Sequence, residues 1–507
     1  MKFLGIDVGT GGTRAVVVGE TGRVEAAATS EHEAFASPET GWAEQDARDW
    51  WRAASDAVRA VLAGGAVSAD DIKCVGLSGQ MHGATLLDER AEVLRPSIIW
   101  CDVRTGEQCR ALTAQIGEAR LIELVLNPAL ENFTLPKMLW VREHEPRVWE
   151  RVRSMLLPKV YVRLRLTGER ASDVADASGT LLLAVGERAW SNEMLARTGI
   201  ERSMLPAVYE SIEVCGKVSA AGAAATGLRA GTPVVAGAGD QAAGAVGLGV
   251  VRPGSVSATI GTSGVVFAAT DTPALDRKGR VHTFCHAVPG RWHVMGVTQA
   301  AGLSLRWFRD RFGVGGEGGG VDGSRVDGGE RDAYEILSDE AAGAPPGADG
   351  LLWTPYLMGE RTPHLDPQAR AALVGLTMSH TRAHVIRAIL EGVAFSLRDT
   401  LTIFAEMNVP VSGIKLGGGG ARSPLWRQIQ ADVYGQMVEL VEAEEGAAYG
   451  AALLAGIGGG AWSTVDEACE AAVRVRERIE PDAARAKLMN ERYRAYRAVY
   501  PALRDVR

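Results

Sequence analysis

The chain has 507 residues, about 3.4 times the roughly 150 residues of a typical domain, so two or three domains are expected and a single small module is excluded. Apolar residues make up 46% and charged residues 23%, ordinary proportions for a folded protein and unlike those of an intrinsically disordered chain. With 54 Lys and Arg against 62 Asp and Glu, the net charge is −8 and the isoelectric point about 5.7, which leaves no general basic field for nucleic acid or anionic lipid and points to a small-molecule partner.

The N-terminus, Met1 to Asp7, meets an acid too early for the apolar stretch of a signal peptide, so export is not expected. Phe3 to Ile6 is a short apolar run, followed by Asp7-Val8-Gly9-Thr10-Gly11-Gly12-Thr13 and then Ala15 to Val18, which reads as strand, glycine turn and strand. No helix follows the glycines and no Gly-Lys-Ser/Thr ending is present, so the turn is neither a dinucleotide-binding loop nor a P-loop. Asp7 ends the first strand beside this turn. A carboxylate there would repel a phosphate unless a divalent cation lay between them, so Asp7 is either a Mg²⁺ ligand, acting through water, or the acceptor of a local turn hydrogen bond.

Helical patterns at Ala47 to Leu62 and Arg147 to Leu166 alternate with short apolar runs at Cys74 to Leu77 and Pro233 to Ala236, an α/β arrangement. Ser78-Gly79-Gln80-Met81-His82-Gly83 combines an amide, an imidazole and a flexible apolar chain, a set suited to a polyhydroxylated molecule or, more plainly, a loop with its His in solvent. Trp100-Cys101-Asp102-Val103-Arg104 adds an aromatic face, an acceptor and a fork of donors, common at sugar sites and on ordinary surfaces alike. Asp240 stands among Gly and Ala between a strand and a small-residue helix, as a helix N-cap or as a functional acid.

Gly254 to Ile260, Gly261-Thr262-Ser263-Gly264 and Val265 to Ala268 repeat the strand, Gly-Thr turn, strand pattern about half a chain later. Two such hairpins suggest two similarly built lobes, each offering backbone N–H groups and a Thr hydroxyl to an anion between them, against coincidence among many glycine turns. His282, Cys285 and His286 resemble a metal set by type, but on a strand they do not share one face. Gly313 to Gly329, with nine glycines in 17 residues, reads as a mobile surface loop.

Thr381 to Met407 and Pro424 to Met437 are amphipathic helices, the second opened by Gly417 to Gly420, where the backbone can approach a flat or anionic ligand. The uncharged stretch Gly446 to Val465 carries six glycines and reads as a packed helix ending in a turn rather than a membrane span. From Val465 onward the tail reads as a charged outer helix. The six cysteines, Cys74, Cys101, Cys109, Cys215, Cys285 and Cys469, are scattered without a CxxC, so neither a disulfide framework nor a zinc knuckle is expected and a reducing cytoplasm fits.

Over nearly its whole length the sequence resembles the FGGY family of carbohydrate kinases. The resemblance is carried in order by Asp7 to Thr13, Lys137 to Val141, Gly239-Asp240-Gln241, Gly261 to Gly264 and Gly359-Glu360-Arg361-Thr362-Pro363, then by the spacing of Ala371, Leu373, Gly375-Leu376, His384-Val385 and Ala388 to Glu391. Within the family, Gln80 to Gly83, Ser172-Asp173 with Asp176 to Ser178, Gly418 to Trp426 and Glu445 to Ala452 resemble the members acting on D-xylulose more than those acting on glycerol, gluconate or ribulose. The glycine-rich segment at Gly313 departs from the family pattern.

The resemblance implies an α/β fold of two actin-like, ribonuclease-H-like lobes, at 1–248 and 249–507, with a nucleotide cleft between them. It implies phosphorylation of D-xylulose at its 5-hydroxyl by Mg²⁺–ATP, in a cytoplasmic homodimer that holds neither nucleic acid nor membrane. Asp240 would be the general base and Asp7 the metal ligand. Gln80, Met81, His82, Trp100, Asp102, Arg104, Asp240 and Gln241 would surround the sugar. Thr10, Gly11, Gly12, Thr13, Gly261, Thr262, Gly418, Gly419, Gly420 and Ser423 would hold the nucleotide. Two other readings stay open: a family kinase for another pentulose or polyol, and a nonenzymatic two-lobed ATP switch, which would not need Asp240 together with Met81 and His82.

Overall fold

The computed structural model describes residues 1–313, 332–443 and 445–506, so the glycine-rich segment lies, from 314 onward, outside the described residues. A first sheet is built from β1 (Lys2–Val8), β2 (Gly12–Gly19), β3 (Val24–Glu31), β4 (Ile72–Gly79), β5 (Val214–Lys217), β6 (Pro233–Val235) and β7 (Ala238–Gly239). Its order is β5-β6-β4-β1-β2-β3, with β7 continuing alongside β4. Both expected glycine turns are hairpins: β1 pairs antiparallel with β2, and β8 (Gly254–Ile260) with β9 (Gly264–Thr270).

The second sheet adds β10 (His282–Cys285), β11 (Trp292–Thr298), β12 (Val411–Gly417), β13 (Val438–Val441) and β14 (Val475–Ile479), in the order β10-β11-β9-β8-β12-β13-β14. The core topology is the same in both sheets. The hairpin strand β1 is parallel to β4 as β8 is parallel to β12, so the two Gly-Thr turns occupy equivalent places in two lobes of one design. Matching Gly9-Thr10 to Gly261-Thr262 sets Asp7 opposite Thr259, so only the first turn has an acid at that position.

Strands β1, β2 and β4 are buried almost throughout because both faces are covered. Leu4, Ile6 and Val8 pack with Trp50, Ala54 and Val58 of α1 (Ala47–Ala63). Phe3, Val16 and Val18 face α9 (Gly446–Gly458), numbered after α2 (Thr134–His144), α3 (Pro158–Thr167), α4 (Asp240–Gly247), α5 (Ala301–Phe312), α6 (Ala333–Ala342), α7 (Arg382–Glu406) and α8 (Pro424–Tyr434). By the alternation of the strand, Asp7 lies on the same face as Phe3 and Gly5, toward α9.

Helices α4 and α9 cross at backbone contact. A Cβ on Gly450 would stand 1.8 Å from the Ala243 carbonyl oxygen, and one on Gly5 1.9 Å from that of Ala448. Glycine is required at Gly450 because backbone, not a movable side chain, fills the space. Gly450→Val therefore forces apart the packing of α4 against α9 over the first sheet. The expected cost is about 1–3 kcal/mol or more, read as a lower thermal midpoint, with Gly450→Ala intermediate.

Two expectations are corrected. Arg147 to Leu166 is not one helix: a turn at Pro146–Trp149 and a strand at Ser154–Leu156 precede α3, because Pro158 lacks the N–H that a helix interior needs and occupies the first helical turn instead. The tail is α10 (Val465–Ala472), then β14, then α11 (Ala483–Leu503). The charged Val-Arg-Glu-Arg-Ile of β14 reads as helix, but it pairs antiparallel with β13 at the sheet edge, where charged side chains remain in water. Among the described residues no helix is long and apolar enough to cross a membrane.

Candidate active site

The C-terminal ends of β1, β4 and β7 lie side by side, with Asp7 paired to Ser78 and Ser78 to Ala238. Asp240 therefore leaves the sheet next to Asp7. It is the first residue of α4, with Gly239 at the N-cap position, and its carboxyl accepts from the Gln241 N–H and side chain, so it bonds the helix start while keeping part of its surface open. Burial, then the like charges of Asp7 and Asp176, push the Asp240 carboxyl up to about 8. Burial likewise raises Asp7 to about 6, and its Oδ1 is buried without a hydrogen-bond partner, so the local turn bond is not formed at that atom. Both residues keep part of their surface open, as acids at the floor of a cleft do.

The first Gly-Thr turn is held from behind. The Thr10 carbonyl accepts from Gln45 Nε2 (2.8 Å) and His32 Nδ1 (3.3 Å), and the Gly11 carbonyl from the His32 N–H (2.9 Å). Thr10 Oγ1 accepts from Trp100 Nε1 (2.9 Å), while Thr13 is fully buried with its hydroxyl on His32 Nε2 (2.8 Å). With the carbonyls pulled back and open space around Gly11, the turn can present N–H groups to an anion.

The turn at Gln80 to Gly83 meets Asp240 through two glycines. A Cβ on Gly239 would lie 2.8 Å from Met81 Cγ, and one on Gly179 2.5 Å from His82 Nδ1, so both side chains pack where only glycine leaves room. His82 has φ 69° and is 7% exposed, not a solvent histidine. Its Nδ1 bonds the Gly179 carbonyl (2.8 Å), and burial with the nearby Lys137 charge drives its pKa down to about 3, so the neutral ring has Nε2 left as an acceptor. Lys137, fully buried, holds this turn by donating to the carbonyls of His82 (2.9 Å) and Asn132 (2.7 Å).

Other expected sugar contacts are already engaged. The Gln80 amide donates to Gln45 Oε1 (2.9 Å) and the Gly9 carbonyl (3.2 Å), tying the two loops together. Asp102 is fully buried, accepting from the Ala43 N–H (2.6 Å) and from Arg104 Nη2 (2.7 Å). Arg104 also pairs with Glu44 and stacks on Trp42, 3.7 Å from the ring centroid, so this pair buttresses the wall behind Trp100. Sequence spacing missed the support from Gln45, His32 and Trp42, whose roles come entirely from long-range contacts.

In the second lobe a cavity of about 660 Å³ brings together Gly261, Thr262, Gly419, Gly420 and Ser423, far apart in sequence. Gly418 lies beneath with φ 73°, where a Cβ would meet the Ile260 carbonyl oxygen at 2.5 Å. The Gly261 N–H is used within its own turn, on the Ser263 carbonyl (2.9 Å), and Thr262 Oγ1 accepts from Arg306 Nη2 (2.8 Å). Arg306, Tyr334 and Ser338 are among the residues that line it from α5 and α6, and nothing in their amphipathic pattern singles them out. Among the described residues no three His, Cys, Asp or Glu side chains are arranged to hold a metal, and His282, Cys285 and His286 form no such site.

Comparison with known proteins agrees with this architecture. The model of the FGGY family of carbohydrate kinases, N-terminal domain, matches residues 2–247, and that of its C-terminal domain residues 256–459. The chain is 38% identical over 507 residues to a xylulose kinase of Bacillus subtilis, covering 100% of this chain and 98% of that one. It is 39% identical over 502 residues to a xylulose kinase of Escherichia coli, covering 99% of each. The solved xylulose kinase of Rhodospirillum rubrum, 32% identical, superposes with a TM-score of 0.89 over 100% of this chain and 99% of that one. Two lobes of one topology, a half-buried acid at the start of α4, matches to both domain models and full-length similarity to curated relatives lead to one conclusion: the chain belongs to the FGGY family of carbohydrate kinases and is a carbohydrate kinase that uses ATP.

Proposed function

We propose that this kinase transfers the γ-phosphoryl group of ATP to the 5-hydroxyl of D-xylulose, giving D-xylulose 5-phosphate and ADP. The observation that carries the substrate is the full-length identity to relatives named xylulose kinases, 38% and 39%. The Met81–His82 turn packed against the glycine before Asp240 supports it. Residues 1–248 form the sugar-binding and phosphate-loop lobe and 249–507 the nucleotide lobe, in a cytoplasmic homodimer.

Met81, His82, Trp100 and Gln241 surround the sugar beside Asp240, while Gln80, Asp102 and Arg104 hold those groups in place. Neutral His82 accepts a hydrogen bond from a sugar hydroxyl at Nε2. Thr10 to Thr13 and the Gly261-Thr262 turn approach the phosphates from the two lobes, and Gly418 to Gly420 with Ser423 lie along the adenosine. Closure of the lobes brings the nucleotide to the sugar and excludes water.

The buried, unpartnered Oδ1 of Asp7 fits Mg²⁺, which Asp7 would hold directly or through water. When bound, Mg²⁺ supplies neutralisation of charge on the phosphate oxygens. Asp240 orients the 5-hydroxyl in line with the leaving ADP and accepts its proton late, because the transition state is loose.

The test is ADP release with Mg²⁺–ATP across D-xylulose, L-xylulose, D- and L-ribulose, L-fuculose, glycerol, gluconate, xylitol and no sugar. The expected result is the highest kcat/KM for D-xylulose; preference for another sugar reassigns the substrate, and sugar-independent release overturns the kinase reading in favour of a nucleotide switch. A second expectation concerns pH. Asp240 accepts a proton only when ionised, and its carboxyl is raised to about 8, so kcat/KM at limiting substrates rises with pH and levels off above about 8. In Asp7→Asn the rise moves to lower pH, because one of the like charges that hold Asp240 protonated is gone.

A further inference from the structure

The Gly359–Pro363 motif has no part in the roles above, yet its centre is fixed with unusual care. The buried carboxylate of Glu360 is fully engaged: one oxygen accepts from Thr298 Oγ1, the other from the N–H groups of Gln299 (3.0 Å) and Arg361 (2.8 Å). On the other side of Arg361, the Thr362 N–H donates to the Val297 carbonyl (3.0 Å), and its hydroxyl accepts the Val297 N–H (3.0 Å) while donating to the Arg280 carbonyl (2.8 Å). Arg361 is thus pinned between two anchored residues at the end of β11.

That place is where the lobes meet. The neighbouring strand β10 is laced to the first lobe by Asn127 Nδ2 donating to the Thr283 carbonyl (2.9 Å) and by the Cys285 N–H donating to Ser178 Oγ (3.0 Å). The His282 ring meets Phe133 edge-on with centroids 5.5 Å apart, and Phe133 meets His82 edge-on at 5.1 Å. Arg361 is the charge from the second lobe that bears on both His82 and His282, and in turn Glu131 and Glu360 bear on it.

Arg361 is half-buried, yet among the described residues its side chain forms no ion pair or hydrogen bond, and the Glu360 carboxyl is spent elsewhere. A guanidinium carries five donors and no acceptor, so a half-buried one that the protein leaves unpartnered has donors to offer a ligand. The segment it bears on holds acceptors that are also unclaimed: Asn132 Oδ1 is buried without a partner, and His82 Nε2 makes no hydrogen bond.

We propose that Arg361 is a substrate-specificity residue delivered by the second lobe. It donates to hydroxyl or carbonyl oxygens of the sugar from the side opposite Met81 and His82, so that the bound sugar bridges the lobes and favours their closure. The inference rests on the sugar-kinase reading above.

The experiment compares wild type, Arg361→Gln and Arg361→Lys in sugar-dependent ADP release, with ADP affinity and thermal midpoint measured on each. Arg361→Gln is expected to raise the sugar KM about tenfold or more, the loss typical of a charge-assisted hydrogen bond, with ADP affinity and midpoint unchanged. Arg361→Lys, which keeps the charge but not the planar fork, should show a smaller rise and answers the question if the Gln variant does not fold. A wild-type sugar KM in the variants, or parallel loss of sugar and ADP binding with a lowered midpoint, overturns the proposal. A wild type that prefers another sugar changes the substrate but not the comparison; a wild type without sugar-dependent turnover overturns both readings.

Discussion

Replacing Asp240 with Asn lowers kcat by about 10²–10⁴-fold, the usual contribution of a general base, while the KM for sugar changes little. The argument begins with position. Asp240 opens α4 beside the ends of β1 and β4, its carboxyl held by Gln241 of the same helix, and Met81 packs against the glycine just before it. Asn matches Asp in size and can still hydrogen-bond the hydroxyl, so orientation survives while proton acceptance is lost. Burial with the charges of Asp7 and Asp176 already holds Asp240 in its neutral form near pH 7, so the change replaces a neutral carboxyl by a neutral amide of the same size. The variant is therefore expected to keep its thermal midpoint near pH 7, which separates lost catalysis from lost folding. Turnover within tenfold of wild type would assign the proton to another group.

The second large effect is expected at Asp7. Asp7→Asn removes the buried oxygen that has no partner in the protein, and with it the charge proposed to balance Mg²⁺. Metal neutralisation of transferring phosphate is worth several kcal/mol, so kcat should fall by about 10²-fold or more, with a rise in the Mg²⁺ concentration needed for half-maximal activity. A Mg²⁺ titration at saturating ATP and sugar measures it. Unchanged half-maximal Mg²⁺ would show that Asp7 is not a ligand. Thr259, which takes the place of Asp7 in the second hairpin, shows why only one lobe is a candidate for the metal.

Much of the frame was legible before the structure. Both Gly-Thr hairpins, the strands at Cys74 and Pro233, and the helices at Ala47, Thr381 and Pro424 are where the pattern puts them, because each is specified by neighbours in sequence. The misses have the same cause in reverse. Pro158 divides an apparently continuous helical pattern, and Val475 to Ile479 becomes a strand only because β13 supplies a pairing partner. Burial of His82 was not readable from Gln80 to Gly83, since the glycine that makes room for its ring, Gly179, is nearly a hundred residues away.

By itself, the sequence determined the two-lobed α/β plan, the family and the acids worth testing, because hairpin turns, strand alternation and ordered motifs are local signals. Only the tertiary structure decided which polar groups remain available. Asp102 and Arg104 look like sugar ligands in one dimension and are spent on each other, Ala43 and Glu44 in three. Arg361 looks like one letter of a motif and stands half-buried beside the strand that meets the first lobe, with no protein acceptor on its side chain among the described residues. The physical reason is that a polar side chain's free valence depends on which distant groups the fold brings within hydrogen-bond reach, and burial then decides how much an unused donor or acceptor matters.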